Sequence, residues 1–67
     1  MRIDRIKLVA ELARRNMTQR DLSRLSGVCR PTISYIKNGK SCSDEVGRKI
    51  ARALNVDVSD LLEKEGD

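Results

Sequence analysis

The sequence predicts an all-α fold of four to five helices in a single domain. Three observations support this prediction. Apolar residues recur at helical spacing, only one proline and four glycines interrupt the 67 residues, and β-branched residues do not alternate as they do in strands. A chain of this length forms one domain, residues 1–67, of which we expect 64–67 to be frayed. Such a small core supplies only about 3–5 kcal/mol of net stability, so oligomerisation is a possibility from length alone.

The first predicted helix covers roughly Asp4–Arg15. Its expected core-facing positions, spaced by three and four residues, are Ile6, Val9 and Ala13, and the face is widened by Leu8 and Leu12. Arginines in the last turn suit the negative end of the helix dipole. This segment therefore predicts an amphipathic helix that packs on the core.

The second predicted helix begins after Thr18, which is a good N-cap residue. Asp21 lies at the third helical position, where its carboxylate can reach back in a capping box. Leu22 and Leu25 are expected to face inward. Gly27 ends the helix, because glycine readily adopts the left-handed conformation that a tight turn requires.

The third predicted helix begins near Cys29–Arg30 and ends at Asn38–Gly39. Pro31 fits its first turn, where a missing backbone N–H costs nothing. Ile33 and Ile36 are expected to point inward. The opposite side of this helix is therefore expected to face solvent.

A fourth helix is expected to start after Ser43. Its expected buried positions are Val46, Ile50, Ala53 and Leu54. Gly47 lowers helix stability by about 1 kcal/mol, so we expect another helix to pass close to it. A short fifth helix, capped by Asp57, is expected to carry Val58, Leu61 and Leu62.

The charge is distributed unevenly along the chain. Residues 1–40 carry ten Lys/Arg against three Asp/Glu, a net charge of +7. Residues 41–67 carry four against seven, a net charge of −3. A basic amino-terminal part and an acidic tail indicate that one surface meets a polyanion, although simple solvation of a small protein is the alternative interpretation.

Several classes of protein do not fit this composition. The chain has no histidine and only two cysteines, Cys29 and Cys42, which predict ordinary reduced thiols rather than a disulfide framework or a zinc site. We expect no enzyme activity, no cofactor, no metal and no small-molecule substrate, because no nucleophile–base pair or phosphate loop is present. The charged amino terminus does not fit a signal peptide, and no apolar run is long enough to span a membrane, so we expect a cytoplasmic protein.

The segment Thr18–Gly39 reads T-Q-R-D-L-S-R-L-S-G-V-C-R-P-T-I-S-Y-I-K-N-G. Two short helices on either side of a glycine-containing turn form the helix-turn-helix pattern, here as helices 2 and 3. The segment is very similar to the Cro/repressor (XRE-like) helix-turn-helix family. The later segment A-R-A-L-N-V-D-V-S-D-L-L resembles the last two helices of that family, so the resemblance covers about Met17–Leu62. It implies a compact repressor-like domain that binds double-stranded DNA.

The resemblance also implies which residues contact DNA. Gln19 falls where the family contacts a phosphate and braces the start of the reading helix. The positions that correspond to base-facing side chains hold Arg30, Pro31, Ser34 and Tyr35. Asn38 and Lys40 fall near the backbone of the other strand, and Thr32 completes the candidate set. From the residues alone, Arg30 can equally be a phosphate contact, Tyr35 surface packing and Gln19 ordinary surface.

The sequence departs from the family pattern in three places. Cys29 replaces the usual Ser or Thr cap, which predicts a weaker start to the reading helix. Pro31 cannot donate a hydrogen bond, so only shape or contact with a thymine methyl is available there. Asp60 stands where some relatives carry a large apolar residue at a carboxy-terminal interface.

The expected function is sequence-specific DNA binding as a small prokaryotic or phage transcriptional regulator, acting as a repressor. The alternative is an antitoxin-like or restriction–modification-controller-like protein that pairs DNA binding with a protein partner. A fragment of a larger regulator is a further possibility, although the start at Met1 and the end at Gly66–Asp67 favour a complete small protein. We also expect a weak homodimer that pairs cooperatively on DNA through Asn55–Glu63.

Overall fold

Four α-helices and one short 3₁₀ helix surround one apolar core in the computed structural model, which describes residues 1–63. The elements are α1 (Arg5–Arg14), α2 (Gln19–Ser26), α3 (Arg30–Lys37), α4 (Asp44–Leu54) and the 3₁₀ helix Val58–Asp60. The predicted all-α class is confirmed, with α2 and α3 arranged as the helix-turn-helix. The predicted fraying of residues 64–67 lies outside the described residues.

Side-chain caps explain where α1 and α2 begin. Asp4 precedes α1 and accepts a hydrogen bond from the backbone N–H of Ile6 at 2.9 Å. Before α2, Thr18 Oγ1 accepts from the N–H of Asp21 at 3.1 Å, while Asp21 Oδ2 accepts from the N–H of Thr18 at 3.0 Å. The predicted capping box is therefore present, and each such cap stabilises the protein by about 0.5–2 kcal/mol.

The core is formed mainly by side chains from all four α-helices. Its fully buried large residues are Ile3, Leu8, Leu22, Ile33, Ile36, Ile50, Leu54 and Leu61. Helix α2 packs against both α3 and α4, and α1 packs against α3. Because α3 is held through Ile33 and Ile36, its other side is left free.

The prediction for the inner face of α1 was wrong at three of its five positions. Ile6 is 73% exposed, Val9 is 45% exposed and Ala13 is exposed, whereas Leu8 and Leu12 are buried. The helix carries two apolar rows on different sides, and a helix that packs on a core from one side buries only one of them. The row that contains Leu8 and Leu12 is the buried one.

The predicted burial of Leu25 was also wrong, because this side chain is 63% exposed. Val28, three residues later, lies in the core and is only 5% exposed. The turn at Gly27 redirects the chain at this point, so the apolar position that completes the α2 side of the core comes after the helix rather than in its last turn.

The predicted fifth helix is shorter than expected. Only Val58–Asp60 form a 3₁₀ helix, and the Asp57 side chain makes no capping hydrogen bond. The next residues pair with the amino-terminal segment through an antiparallel bridge between Ile3 and Leu62. Because the Leu61 carbonyl accepts from Asp4 N–H at 2.7 Å, its backbone joins this bridge rather than a longer helix.

Gly47 lies against the side chain of Met1, not against another helix as expected. A Cβ atom at this position would overlap the Met1 sulfur. The close approach that explains the glycine is therefore made by the amino-terminal residue, which crosses the first turns of α4.

Candidate nucleic-acid interface

The turn between α2 and α3 is fixed by hydrogen bonds within residues 23–28. Gly27 has a φ of 77°, and its N–H donates to the carbonyl of Ser23 at 2.9 Å. Ser23 Oγ donates to the Val28 carbonyl at 2.7 Å, and Ser26 Oγ accepts from the Val28 N–H at 3.1 Å. The two serines therefore hold the angle between the helices. The sequence analysis did not identify them, although serines shortly before a turn glycine are a signal of such local bonds.

The outer side of α3 presents a continuous solvent-exposed surface, which we call the recognition face. It consists of Arg30, Pro31, Ser34, Tyr35 and Asn38. These residues lie on the side of the helix opposite Ile33 and Ile36, as predicted. Tyr35 is 61% exposed, so its ring is available for contact with another molecule.

The other three predicted site residues lie outside the recognition face. Thr32 is half-buried, with its hydroxyl 3.0 Å from the Cys29 sulfur. Gln19 is half-buried at the first residue of α2, and Lys40 is exposed in the segment after α3. A DNA contact by any of these three remains a prediction.

Helix α3 begins without a side-chain cap. Cys29 occupies the N-cap position, and its side chain accepts no hydrogen bond from the backbone of the first turn. Hydrogen bonding from Thr32 instead lowers the pKa of the Cys29 thiol. The weaker helix start expected from this cysteine is thus visible in the geometry, and Pro31 in the first turn partly offsets it by fixing φ.

The recognition face and its surroundings carry positive charge that is not paired within the described chain. Among residues 1–63, the side-chain ion pairs join Arg14 and Arg15 to Glu11, and Lys49 to Glu45. None of them involves the cations of α3 or of the segment that follows it, which are Arg30, Lys37 and Lys40. These charges are therefore available to a polyanion.

Asp21, the acidic residue of α2, has its carboxylate engaged in the capping box of that helix. The N–H of Thr18 is the main cause that lowers the pKa of the Asp21 carboxyl, and the Thr18 side chain adds to it. The carboxylate therefore remains charged at neutral pH and serves the helix start.

The segment after α3 is held at both ends. Gly39 has a φ of 92°, and the N–H of Lys40 donates to the Tyr35 carbonyl at 3.0 Å. Two residues later, Cys42 N–H donates to the Met1 carbonyl at 2.8 Å, and Met1 N donates to the Cys42 carbonyl at 2.6 Å. Lys40 thus projects from a fixed loop. No local signal in the sequence indicates that Met1 holds this loop.

The fold, the fixed turn and the exposed basic face together match one family of proteins. The sequence model of the Cro/C1-type HTH DNA-binding domain matches residues 7–67. The chain belongs to this family. No curated protein and no solved structure matches the chain. Membership confirms the predicted helix-turn-helix identity and the binding of double-stranded DNA.

The match to the Cro/C1-type domain extends from α1 to the end of the chain, beyond the helix-turn-helix itself. It therefore includes α4 and the 3₁₀ segment as parts of the same domain. Within residues 1–63, none of the helices has the length and apolar content that crossing a membrane would need. The roles of individual residues toward DNA remain predictions.

Proposed function

We propose that this Cro/C1-type domain is a small prokaryotic or phage transcriptional repressor that reads its operator with α3 in the major groove. The observation that carries the proposal is the recognition face, an exposed helix side on a rigidly packed helix. Ile33 and Ile36 are fully or almost fully buried behind it, so the helix can be presented to DNA without reorganisation. The major groove, about 12 Å wide, accepts a helix presented in this way.

Each residue type on the recognition face suits a particular contact. Arg30, at the first position of α3, can donate two hydrogen bonds to the O6 and N7 atoms of guanine. Ser34 can bond to either base of a pair. Pro31 and Tyr35 offer apolar surface to a thymine methyl. These contacts supply sequence preference, and each good bidentate pair discriminates by about 1–3 kcal/mol.

Residues beside the recognition face would position the domain on the sugar–phosphate backbone. Asn38 and Lys40, at the end of α3 and in the loop tied to Met1, suit contacts with one strand. Gln19, at the amino terminus of α2, suits a phosphate of the other strand, where the positive end of a helix dipole favours an anion. Such contacts add affinity without sequence preference.

A dimer on DNA is part of the proposal, because one reading helix contacts too few base pairs to select a site from a genome. Two copies related by a two-fold axis would read half-sites about one helical turn, roughly 34 Å, apart. The surface expected for pairing offers little apolar area, since Leu61 is fully buried inside the monomer and Val58 and Leu62 are half-buried. The exposed acidic residues there are Asp57, Asp60 and Glu63. We therefore propose weak association in solution and cooperative pairing on the operator.

Selection of bound sequences from a random duplex pool tests the proposed function. The expected result is an enriched site with two inverted halves about one helical turn apart. Sedimentation of the protein with the selected duplex should give two copies per duplex at saturation and monomer without DNA at micromolar concentration. A site without inverted halves, occupied by one copy, would overturn the dimer but not the reading of DNA by α3. Failure to enrich any sequence would overturn the proposed function.

A regulator that pairs DNA binding with a protein partner, of the antitoxin or restriction–modification-controller kind, is the second candidate. The observation that favours it is the exposure of large apolar side chains away from the recognition face. These are Ile6, Val9 and Leu25. Apolar side chains at these positions offer contact area to a protein partner, whose interface core is enriched in apolar residues.

A further inference from the structure

Helix α1 carries an apolar row that the domain leaves uncovered, which we call the α1 stripe. It consists of Ile6, Val9, Ala10 and Ala13, all of which are exposed. Spacings of three and four residues place them on one side of the helix. The buried residues Leu8 and Leu12 lie on another side, so the stripe contributes nothing to the core.

Local helix formation does not explain the stripe. Ile6 and Val9 are branched at Cβ, and such residues lose side-chain freedom in a helix. At exposed positions alanine, lysine or glutamate forms helix better than either of them. With 73% of Ile6 and 45% of Val9 in water, these residues gain most from a partner that covers them.

The stripe continues into an open cleft of about 290 Å³ that reaches the end of α3 and is lined by Arg5, Ile6, Val9 and Lys37. An apolar side chain placed in this cleft would contact both large residues of the stripe. Two cations line it. Arg5 precedes Val9 by one helical turn, and Lys37 lies across the cleft.

Three acidic residues lie near the stripe, and none of them lines the cleft. Asp4 caps the first turn of α1. Glu11, whose side chain is only 20% exposed, pairs with Arg14 at 3.4 Å and with Arg15. Within residues 1–63, Arg5 and Lys37 form no ion pair. Glu63 lines a second groove with Asp4, Arg5 and Ile6, so the basic part of the rim is the cleft, which Arg5 and Lys37 line.

The exposed apolar side chains and the cations beside them together indicate the kind of partner that the stripe binds. A second copy in a two-fold arrangement would place the cleft, with Arg5 and Lys37, against the same two cations of its partner, which like charges oppose. Duplex DNA matches the charge, but apart from thymine methyl groups it offers apolar side chains only polar or charged, hydrated surface. A membrane would require more apolar surface than two large side chains. We propose that the α1 stripe binds an acidic amphipathic segment of another protein, with apolar residues on one face and Asp or Glu beside them.

Leu25 provides a rival surface and hence a matched control. It is 63% exposed and also has basic neighbours, among them Arg24 and Arg52. It is, however, a single large apolar side chain without a row of apolar neighbours on its helix. Ile6→Ser and Leu25→Ser therefore remove similar exposed apolar surface from two different places.

The test uses a fluorescein-labelled helical peptide with three leucines on one face and glutamates on both sides of them. Two further probes keep its length: one has the same composition in scrambled order, and one carries lysine in place of glutamate. Polarisation titrations of the full chain should show saturable micromolar binding of the first peptide only. Ile6→Ser should weaken this binding by about tenfold or more, and Leu25→Ser should leave it unchanged. Arg5→Gln should weaken it by a smaller factor that decreases with salt.

Chemical-shift mapping on isotope-labelled protein locates the bound peptide, and circular dichroism confirms that each variant is folded. Shifts centred on Ile6, Val9 and Lys37 support the proposal. Shifts centred on Leu25 or on the recognition face would overturn it, as would equal binding of the scrambled peptide or no saturation up to about 1 mM. Sedimentation that shows self-association abolished by Ile6→Ser would overturn it in favour of a second copy. Binding of a DNA duplex, measured in parallel, is a separate result.

Discussion

Removing the buried anchor of the reading helix should unfold the domain, whereas removing its exposed aromatic residue should not. Ile33 is fully buried in the centre of α3. Ile33→Ala deletes three carbon atoms, which at about 0.8 kcal/mol each is roughly 2.4 kcal/mol before any cavity is counted. With the cavity, the expected loss is about 2–5 kcal/mol. This approaches the total stability of about 3–5 kcal/mol for a domain of this size.

Urea unfolding followed by circular dichroism measures this loss. With a slope of about 1 kcal/mol per molar urea, the midpoint should fall by about 2 M or more, leaving much of the Ile33→Ala population unfolded without denaturant. Tyr35→Ala, on the same helix but at a 61% exposed position, is the matched control and should change stability by less than about 0.5 kcal/mol. If the urea midpoint of Ile33→Ala stayed close to that of the parent, the assignment of the two sides of α3 would be wrong.

Three further predictions concern the reading residue, the turn and the cap. Arg30→Ala should reduce the binding free energy by about 1–3 kcal/mol on the selected site and by little on random duplex, whereas Gln19→Ala should weaken binding to both alike. Equal losses of binding to both duplexes from Arg30→Ala would show that this residue contacts a phosphate. Gly27→Ala should destabilise the fold by about 1–2 kcal/mol in thermal melts, because φ is 77° although no atom obstructs a Cβ there; an unchanged melt would show that the turn relaxes. Because the pKa of Asp21 in the folded protein lies below its ordinary value of 3.8, this group stabilises the fold above that pH and loses its contribution as pH falls through the lowered value. On going from neutral to acidic pH, the urea midpoint of Asp21→Asn should therefore fall by less than that of the parent. An identical fall would show that the Asp21 carboxylate does not contribute to the pH dependence of stability.

Local signals in the sequence predicted most of the elements correctly. Caps and turn residues act within a few positions of themselves, so Thr18, Ser43 and Gly27 marked the helix ends that the structure contains. The recognition face followed in the same way, because the inward positions of α3 are its only two large aliphatic residues, Ile33 and Ile36, and they leave one side free.

Features that depend on distant parts of the chain could not be predicted. Helix α1 has two apolar rows, and the sequence does not say which one faces the core, because that choice is made by α3. The burial of Ile3 and the shortness of the last helix both follow from the Ile3–Leu62 bridge, which joins opposite ends of the chain. The same is true of the Met1–Cys42 pairing that holds the loop of Lys40.

The central claim is that the recognition face reads DNA. It is tested most directly by comparing the affinity for the selected site with the affinity for a scrambled duplex of equal composition. Fluorescence anisotropy measures both affinities over a range of salt concentrations. The selected site should bind at least about 10³-fold more tightly, and both affinities should fall with salt, with a log–log slope of about −0.9 per phosphate contact. Arg30→Ala should reduce the ratio of the two affinities while leaving the salt dependence of random binding nearly unchanged. Equal affinity for both duplexes, or binding that does not respond to salt, would contradict the account.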